Sequence, residues 1–183
     1  MTPLQRIAMG LVVVVLDTVG GYDLLPDPLG WLLVLWGVAA LPGTERGAPR
    51  AAAVVAGLVS VAGYPPAVHD RVADAEPALR WALDLPDLVF VLVLARGLHR
   101  LARPTDPRTA GRMRGIATAS AALAVAPVLL FAGGADELLP WATLAVQLLW
   151  LWLVWNLFAA HAQNWVSPGA DPSVRPGSGP ETR

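Results

Sequence analysis

The side chains in this chain best able to do chemistry are carboxylates, and they recur beside a Leu-Pro pair. The three copies read Asp23-Leu24-Leu25-Pro26-Asp27, Leu83-Asp84-Leu85-Pro86-Asp87 and Glu137-Leu138-Leu139-Pro140-Trp141. If these loops converge, Asp23, Asp27, Asp84, Asp87, Asp136 and Glu137 form an acidic mouth that binds a cation or a cationic solute. The competing reading is structural. Asp27 is then the N-cap of a helix with Pro28 at its first position, and Asp84 caps another helix with Asp87 near its positive dipole end.

Asp17 is a separate candidate because it ends an apolar run. A carboxylate inside a bilayer costs several kcal/mol unless it is paired, hydrated or protonated, so such an acid is a functional candidate. Alternatively, the first helix stops before Gly20-Gly21 and Asp17 sits at the interface beside Arg71 or Arg80. In the last apolar run Gln147 and Asn156 are isolated polar residues, expected to hydrogen-bond between helices. His69, His99 and His161 show no ligand spacing with the acids, and cysteine is absent, so neither a metal nor a cofactor is expected. Walker A, dinucleotide-glycine, Gly-x-Ser-x-Gly and His-Glu-x-x-His signatures are all missing, which weighs against an enzyme.

The elements that position these residues are apolar. Hydrophobic residues make up 55% of the 183 and charged residues 15%, with a mean hydropathy of +0.53. Runs of Leu, Val, Ala and Trp at that density exceed what a soluble core of this size can bury. Six segments, 3–19, 28–41, 50–64, 85–101, 115–132 and 138–160, approach the roughly 17–25 residues that cross a bilayer core of about 30 Å. They predict an all-α integral membrane domain over 1–165, with three consecutive helical hairpins over about 3–41, 50–101 and 115–161. The alternative is four crossings plus a re-entrant pair, since the second and third segments are short. Residues 166–183 are rich in Pro, Gly and Ser and read as a disordered cytoplasmic tail. The N-terminal run has Arg6 ahead of it but no small-x-small cleavage site after it, so it reads as a retained helix.

Charge sets the expected orientation. All thirteen basic residues are Arg, and only Arg71 and Arg80 fall in the loops with the acidic tips. The rest lie at the N-terminus, in the tail, or in the loops after the second and fourth helices, which predicts six crossings with both termini cytoplasmic. The densest patch is Arg96, Arg100, Arg103, Arg108, Arg112 and Arg114, suited to anionic lipid head groups or to a docking partner. With a net charge of −1, no nucleic-acid partner is expected. The exclusive use of Arg, with abundant Ala, Gly and Pro, matches a GC-rich bacterial genome and hence a bacterial plasma membrane.

The repeat extends beyond Leu-Pro in the first two copies. Leu33 to Leu41 aligns without gaps to Val93 to Leu101, placing Gly37 and Gly97 eleven residues after Pro26 and Pro86. The stretch Asp23-Leu24-Leu25-Pro26-Asp27-Pro28-Leu29-Gly30-Trp31 resembles a motif of uncharacterised small polytopic membrane proteins of bacteria, roughly Asp-x-Ile/Leu-Pro-Asp-x-x-Gly-Tyr/Trp with a later Gly. Gly30, Trp31 and Gly37 match it, and the resemblance covers about Leu16 to Leu41. It implies an integral membrane location and no catalytic residue. The second copy departs from it, with Phe90 in place of Gly30.

Trp81, Trp141 and Trp165 are expected at the interfaces, with Trp31 just inside the outer one. Trp150, Trp152 and Trp155 cannot share one narrow helix face, so some of them should meet lipid or another subunit. The leading functional expectation is therefore a non-enzymatic accessory or assembly subunit of a membrane complex, joined to a protein partner or to copies of itself. A solute or ion transporter using Asp17 and the outer carboxylates is second, and a membrane enzyme acting on a lipid or isoprenoid is third.

Overall fold

A computed structural model describes residues 1–16, 27–43 and 46–161, excepting the side chains of Pro66, His69, Asp70, Ala73 and Asp136. Asp17, Asp23, Trp165 and the expected tail lie outside the described residues. Seven α-helices account for most of the rest: α1 (Pro3–Leu16), α2 (Asp27–Ala39), α3 (Gly47–Gly63), α4 (Pro66–Ala73), α5 (Pro77–Ala102), α6 (Pro107–Gly133) and α7 (Leu139–Ala160). A 3₁₀ turn over Asp136–Leu138 precedes α7. No strand occurs among the described residues.

The six long helices form a closed ring in chain order. α1 packs on α2, α2 on α3, α3 on α5, α5 on α6, α6 on α7, and α7 returns to α1; the short α4 rests on α3 and α5. Short connections favour antiparallel neighbours. Gly10 faces Gly30 while Ile7 faces Gly37, and Leu88 faces Ser120 while His99 faces Ala110. Successive helices therefore run in opposite directions in both of these pairs.

The α1–α2 contact is unusually close for a reason visible in the residues. Gly30 and Gly37 are seven apart, two helical turns, and so share one face. A Cβ on Gly30 would lie 2.8 Å from the Gly10 carbonyl oxygen, and one on Gly37 would lie 2.8 Å from the Ile7 amide nitrogen. The two backbones touch, and only hydrogen fits between them. The motif glycines thus serve packing.

The second repeat copy fills the centre of the ring. Phe90 and Trp31 meet edge to face at 5.1 Å and 85°, both fully buried, with Leu4, Ile7, Leu11, Leu94, Leu98, Met113, Ile116, Leu153 and Leu157 around them. Such a pair adds about 0.5–1.5 kcal/mol beyond its burial. Trp31 accordingly belongs to the core of the ring.

Two helices begin earlier than their hydropathy indicates. α5 starts at Pro77 and continues through Pro86, so Asp84 and Asp87 lie inside the helix, and Asp84 is not a cap. A Leu-Pro pair looks like a helix start because proline lacks an N–H, but Pro77 already supplies that start. The residues between, Ala78-Leu79-Arg80-Trp81-Ala82-Leu83, include strong helix formers. α6 starts at Pro107, where Asp106 caps it by accepting the Thr109 amide at 3.1 Å. Arg108, Arg112 and Arg114 are therefore helical residues and not loop residues. α2 begins at Asp27 itself, one residue before the expected start.

The ring is apolar outside as well as inside. Leu32 of α2, Leu58 of α3, Leu129 of α6 and Trp155 of α7 are 60, 63, 66 and 73% exposed. α6 and α7 are each long and apolar enough to cross a membrane; α1, α2 and α3 are apolar but shorter.

Two stability predictions follow from these contacts. Gly30→Ala and Gly37→Ala should each lower stability by about 1–3 kcal/mol or more, because backbone must move. Gly111→Ala, with nothing within 4 Å, should be neutral or up to about 1 kcal/mol stabilising. Thermal unfolding of the purified variants orders the three. The Asp106 carboxyl is held below the usual carboxylate range by hydrogen bonding to Thr109, then by the Arg108 amide and the Arg112 charge. A depressed carboxyl stabilises above its unfolded value and loses that contribution as pH falls through its folded value. Asp106→Ala should cost about 1 kcal/mol at neutral pH, and the gap from wild type should close in melts taken below about pH 4.

Candidate functional site

At one end of the ring the helices part around a cavity of about 590 Å³. α1 ends there, α5 and α7 begin there, and α6 finishes there. α5 contributes Pro77, Arg80, Trp81, Asp84, Asp87 and Leu88, whose spacing keeps them on one face. α7 contributes Thr143, Val146, Gln147 and Trp150, also along one face, and α6 contributes Pro127 and Phe131. Val14 and Val15 of α1 close the wall. The result is an apolar chamber with a few convergent polar groups, the general form of a small-molecule site.

The charges in and beside the chamber are unbalanced. Arg80 lies one helical turn from Asp84 and interacts with it electrostatically. Asp87 lies within electrostatic range of both Asp84 and Asp27, although Asp27 is on a different helix. Asp87 thus stands within range of two other carboxyl groups, Asp84 is paired with Arg80, and the Oδ1 atom of Asp27 is buried. The Trp81 indole N–H, also buried, has no acceptor among the described residues. The Thr143 hydroxyl is committed to the Leu139 carbonyl of its own helix at 3.2 Å. Chemically, the chamber can hold a positive group against Asp84 and Asp87 and an apolar body against Pro127, Phe131, Val146 and Trp150.

The acidic residues singled out in the sequence divide. Asp84 and Asp87 line the chamber, and Asp27 stands close to it. Glu137 is exposed in the 3₁₀ turn and does not line it. Asp17 and Asp23 are outside the described residues, as is the side chain of Asp136. Among the described residues, no group of three or more His, Cys, Asp or Glu side chains is placed to hold a metal ion.

Of the two isolated polar residues of α7, Asn156 departs from the expected bond between helices. Asn156 is 2% exposed, but its side chain donates to the Trp152 carbonyl of its own helix at 2.8 Å, so it does not join two helices. The carbonyl four residues earlier is within reach of a short polar side chain in a helix, which makes that local bond the easier one. Gln147 faces the chamber. The side chain that does join helices is Ser120, fully buried, whose hydroxyl donates to the Leu88 carbonyl across the α5–α6 contact at 2.7 Å. A serine in the alanine-rich run 117–124 was the available signal. His99 makes a second tie, donating from Nδ1 to the Ala110 carbonyl at 2.8 Å.

At the opposite end of the ring, Arg6 stacks over Trp36 at 4.2 Å. Arg96 and Arg114 border a smaller cleft, while Arg100, Arg103, Arg108 and Arg112 are exposed on the ends of α5 and α6 and the turn between them. Trp152 and Trp155 are 42 and 73% exposed, whereas Trp150 is buried, as three tryptophans on two faces require.

Comparison with protein-family models, with curated proteins and with solved structures finds no match to this chain.

Ser120→Ala should cost about 1 kcal/mol, the usual worth of a buried hydrogen bond, since it breaks the α5–α6 tie. Asn156→Leu, which removes only a bond within α7, should cost less. Chemical denaturation of both variants tests the ranking, and a larger loss for Asn156→Leu would contradict these roles.

Proposed function

We propose that the chain is a polytopic membrane protein whose six long helices cross the bilayer, and that its end chamber binds a small organic cation with an apolar body for transport. The membrane part rests on a ring with apolar residues both inside and outside, which water does not tolerate but lipid does. The concentration of Arg at one end, with the N-terminus, supports placing that end in the cytoplasm. The motif shared by Asp23 to Trp31 supports the same location. Where α1 to α3 are shorter than a bilayer core, local thinning and burial of their ends against neighbours compensate.

The observation that carries the solute reading is the chamber itself. Asp84 and Asp87 stand against apolar walls, with Asp27 close by and Arg80 the only cation lining the space among the described residues. Carboxylates in such surroundings are costly, and a bound cation relieves that cost. Tetraphenylphosphonium is a suitable probe. Equilibrium binding to the detergent-solubilised protein should weaken about tenfold or more in Asp87→Asn, equivalent to roughly 1.4 kcal/mol or more. Equal binding by wild type and variant would remove the chamber from the proposal. Uptake into proteoliposomes then separates transport from binding, and Asp17→Asn tests whether that acid takes part in movement.

A second reading, an accessory subunit of a membrane complex, draws on the exposed Trp152, Trp155 and Phe158 of α7. It requires a partner or a second copy that co-purifies in mild detergent and is released when Trp155 becomes Ala. An enzyme acting on a lipid or isoprenoid would also find two carboxylates at the chamber. Among the described residues the lining brings no His, Ser or Tyr to them, and this reading is the least supported of the three.

A further inference from the structure

The cleft at the Arg-rich end has the opposite chemistry to the chamber. It measures about 300 Å³ and lies between α5 and α6, lined by Arg96 and His99 from one helix and Arg114, Ala117 and Thr118 from the other. Among the described residues no carboxylate lines it. The residues are three or four apart on each helix, so the cleft is built from two facing stripes. Arg96 and Arg114 are exposed, while Ala117 is 6% exposed and leaves room at the base.

The cleft is held in shape by bonds that use none of the guanidinium groups. His99 donates from Nδ1 to the Ala110 carbonyl, which fixes the proton on that nitrogen and leaves Nε2 as the remaining polar atom of the ring. Ser120, one turn deeper, ties α6 to the Leu88 carbonyl. The Thr118 hydroxyl donates to the Arg114 carbonyl, so it adds nothing to a ligand. Asp106, an acid at this end, is engaged with the Thr109 amide and interacts with Arg112. Two arginines on different helices therefore face one recess.

We propose that this cleft binds the phosphate group of an anionic phospholipid. Two guanidinium forks suit an anion with several oxygens, and phosphate takes bidentate contacts from both. Position selects lipid over a free anion. Arg96 lies six residues before the end of α5 and Arg114 seven after the start of α6, so the cleft is recessed about 9–10 Å along the helices. The exposed Thr118 borders it at that level. In a bilayer that level is the headgroup boundary, where a phosphate arrives from the side with its acyl chains against the ring.

The inference draws on the membrane reading for the level of the cleft, but its test does not require a bilayer. Protein in mixed micelles of equal phosphatidylglycerol and phosphatidylcholine is analysed by native mass spectrometry for retained lipid. Wild type should retain phosphatidylglycerol preferentially, and Arg96→Gln/Arg114→Gln should reduce that preference about tenfold. Arg108→Gln/Arg112→Gln removes the same charge outside the cleft and should leave the preference intact. An equal loss in both double variants would overturn the proposal in favour of diffuse attraction. So would arginine-dependent binding of inorganic phosphate without lipid preference. Unchanged thermal midpoints in both variants keep misfolding out of the comparison. Failure of the membrane reading would show separately, as protein extracted from membranes by alkaline carbonate.

Discussion

The contact on which the rest of the ring depends is the approach of α1 to α2 through glycine. With hydrogens at Gly10, Gly30 and Gly37, the two backbones come together at two levels, and the hairpin closes as a rigid pair. That closeness brings the end of α1 and the start of α2 to the same rim, where Val14 and Val15 wall the chamber and Asp27 stands near Asp87. It also turns Trp31 toward the centre, against Gly57 on one side and Phe90 on another. A wider first hairpin would displace Trp31 and with it the aromatic pair that spans the ring. Only glycine leaves room for backbones this close.

The repeat explains how two hairpins with related sequences divide this labour. Gly30 and Phe90 occupy the same place relative to Pro26 and Pro86, yet one opens a backbone contact and the other fills the middle. Gly37 and Gly97, again equivalent, are both buried. The likeness lies in where small residues sit along the later turns, and the difference lies in the residue that the centre needs once.

Much of the architecture was legible because apolar runs separated by charge are a strong signal. The six long helices, their order and the segregation of Arg to one end all come from that pattern. Boundaries failed where charge and helix coexist. Arg108, Arg112 and Arg114 depress hydropathy without opposing helix formation, so α6 begins at Pro107 while its apolar run begins at Gly115. The site was legible in its residue types and not in its grouping. Asp84 and Asp87 were visible as acids beside proline, but their shared face became apparent only with α5 continuous through Pro86. Ser120 was hidden for the opposite reason: one hydroxyl in an alanine run barely changes the pattern, although it joins two helices.

The two ends of the α5–α6 pair carry opposite recesses, and the prolines show why they differ. Pro86 in α5 and Pro127 in α6 each remove a backbone donor, leaving the carbonyls of Ala82 and Leu123 without their usual helical partner. Both prolines lie toward the chamber end, and Pro127 lines the chamber. Between the two recesses the pair is fastened by Ser120 to Leu88, and at the basic cleft by His99 to Ala110. The hydrogen bonds that fasten the pair therefore run from its middle to the basic end, while both internal prolines fall toward the acidic one. The same two helices can carry both recesses because proline and serine act locally while the buried leucines keep the pair together throughout.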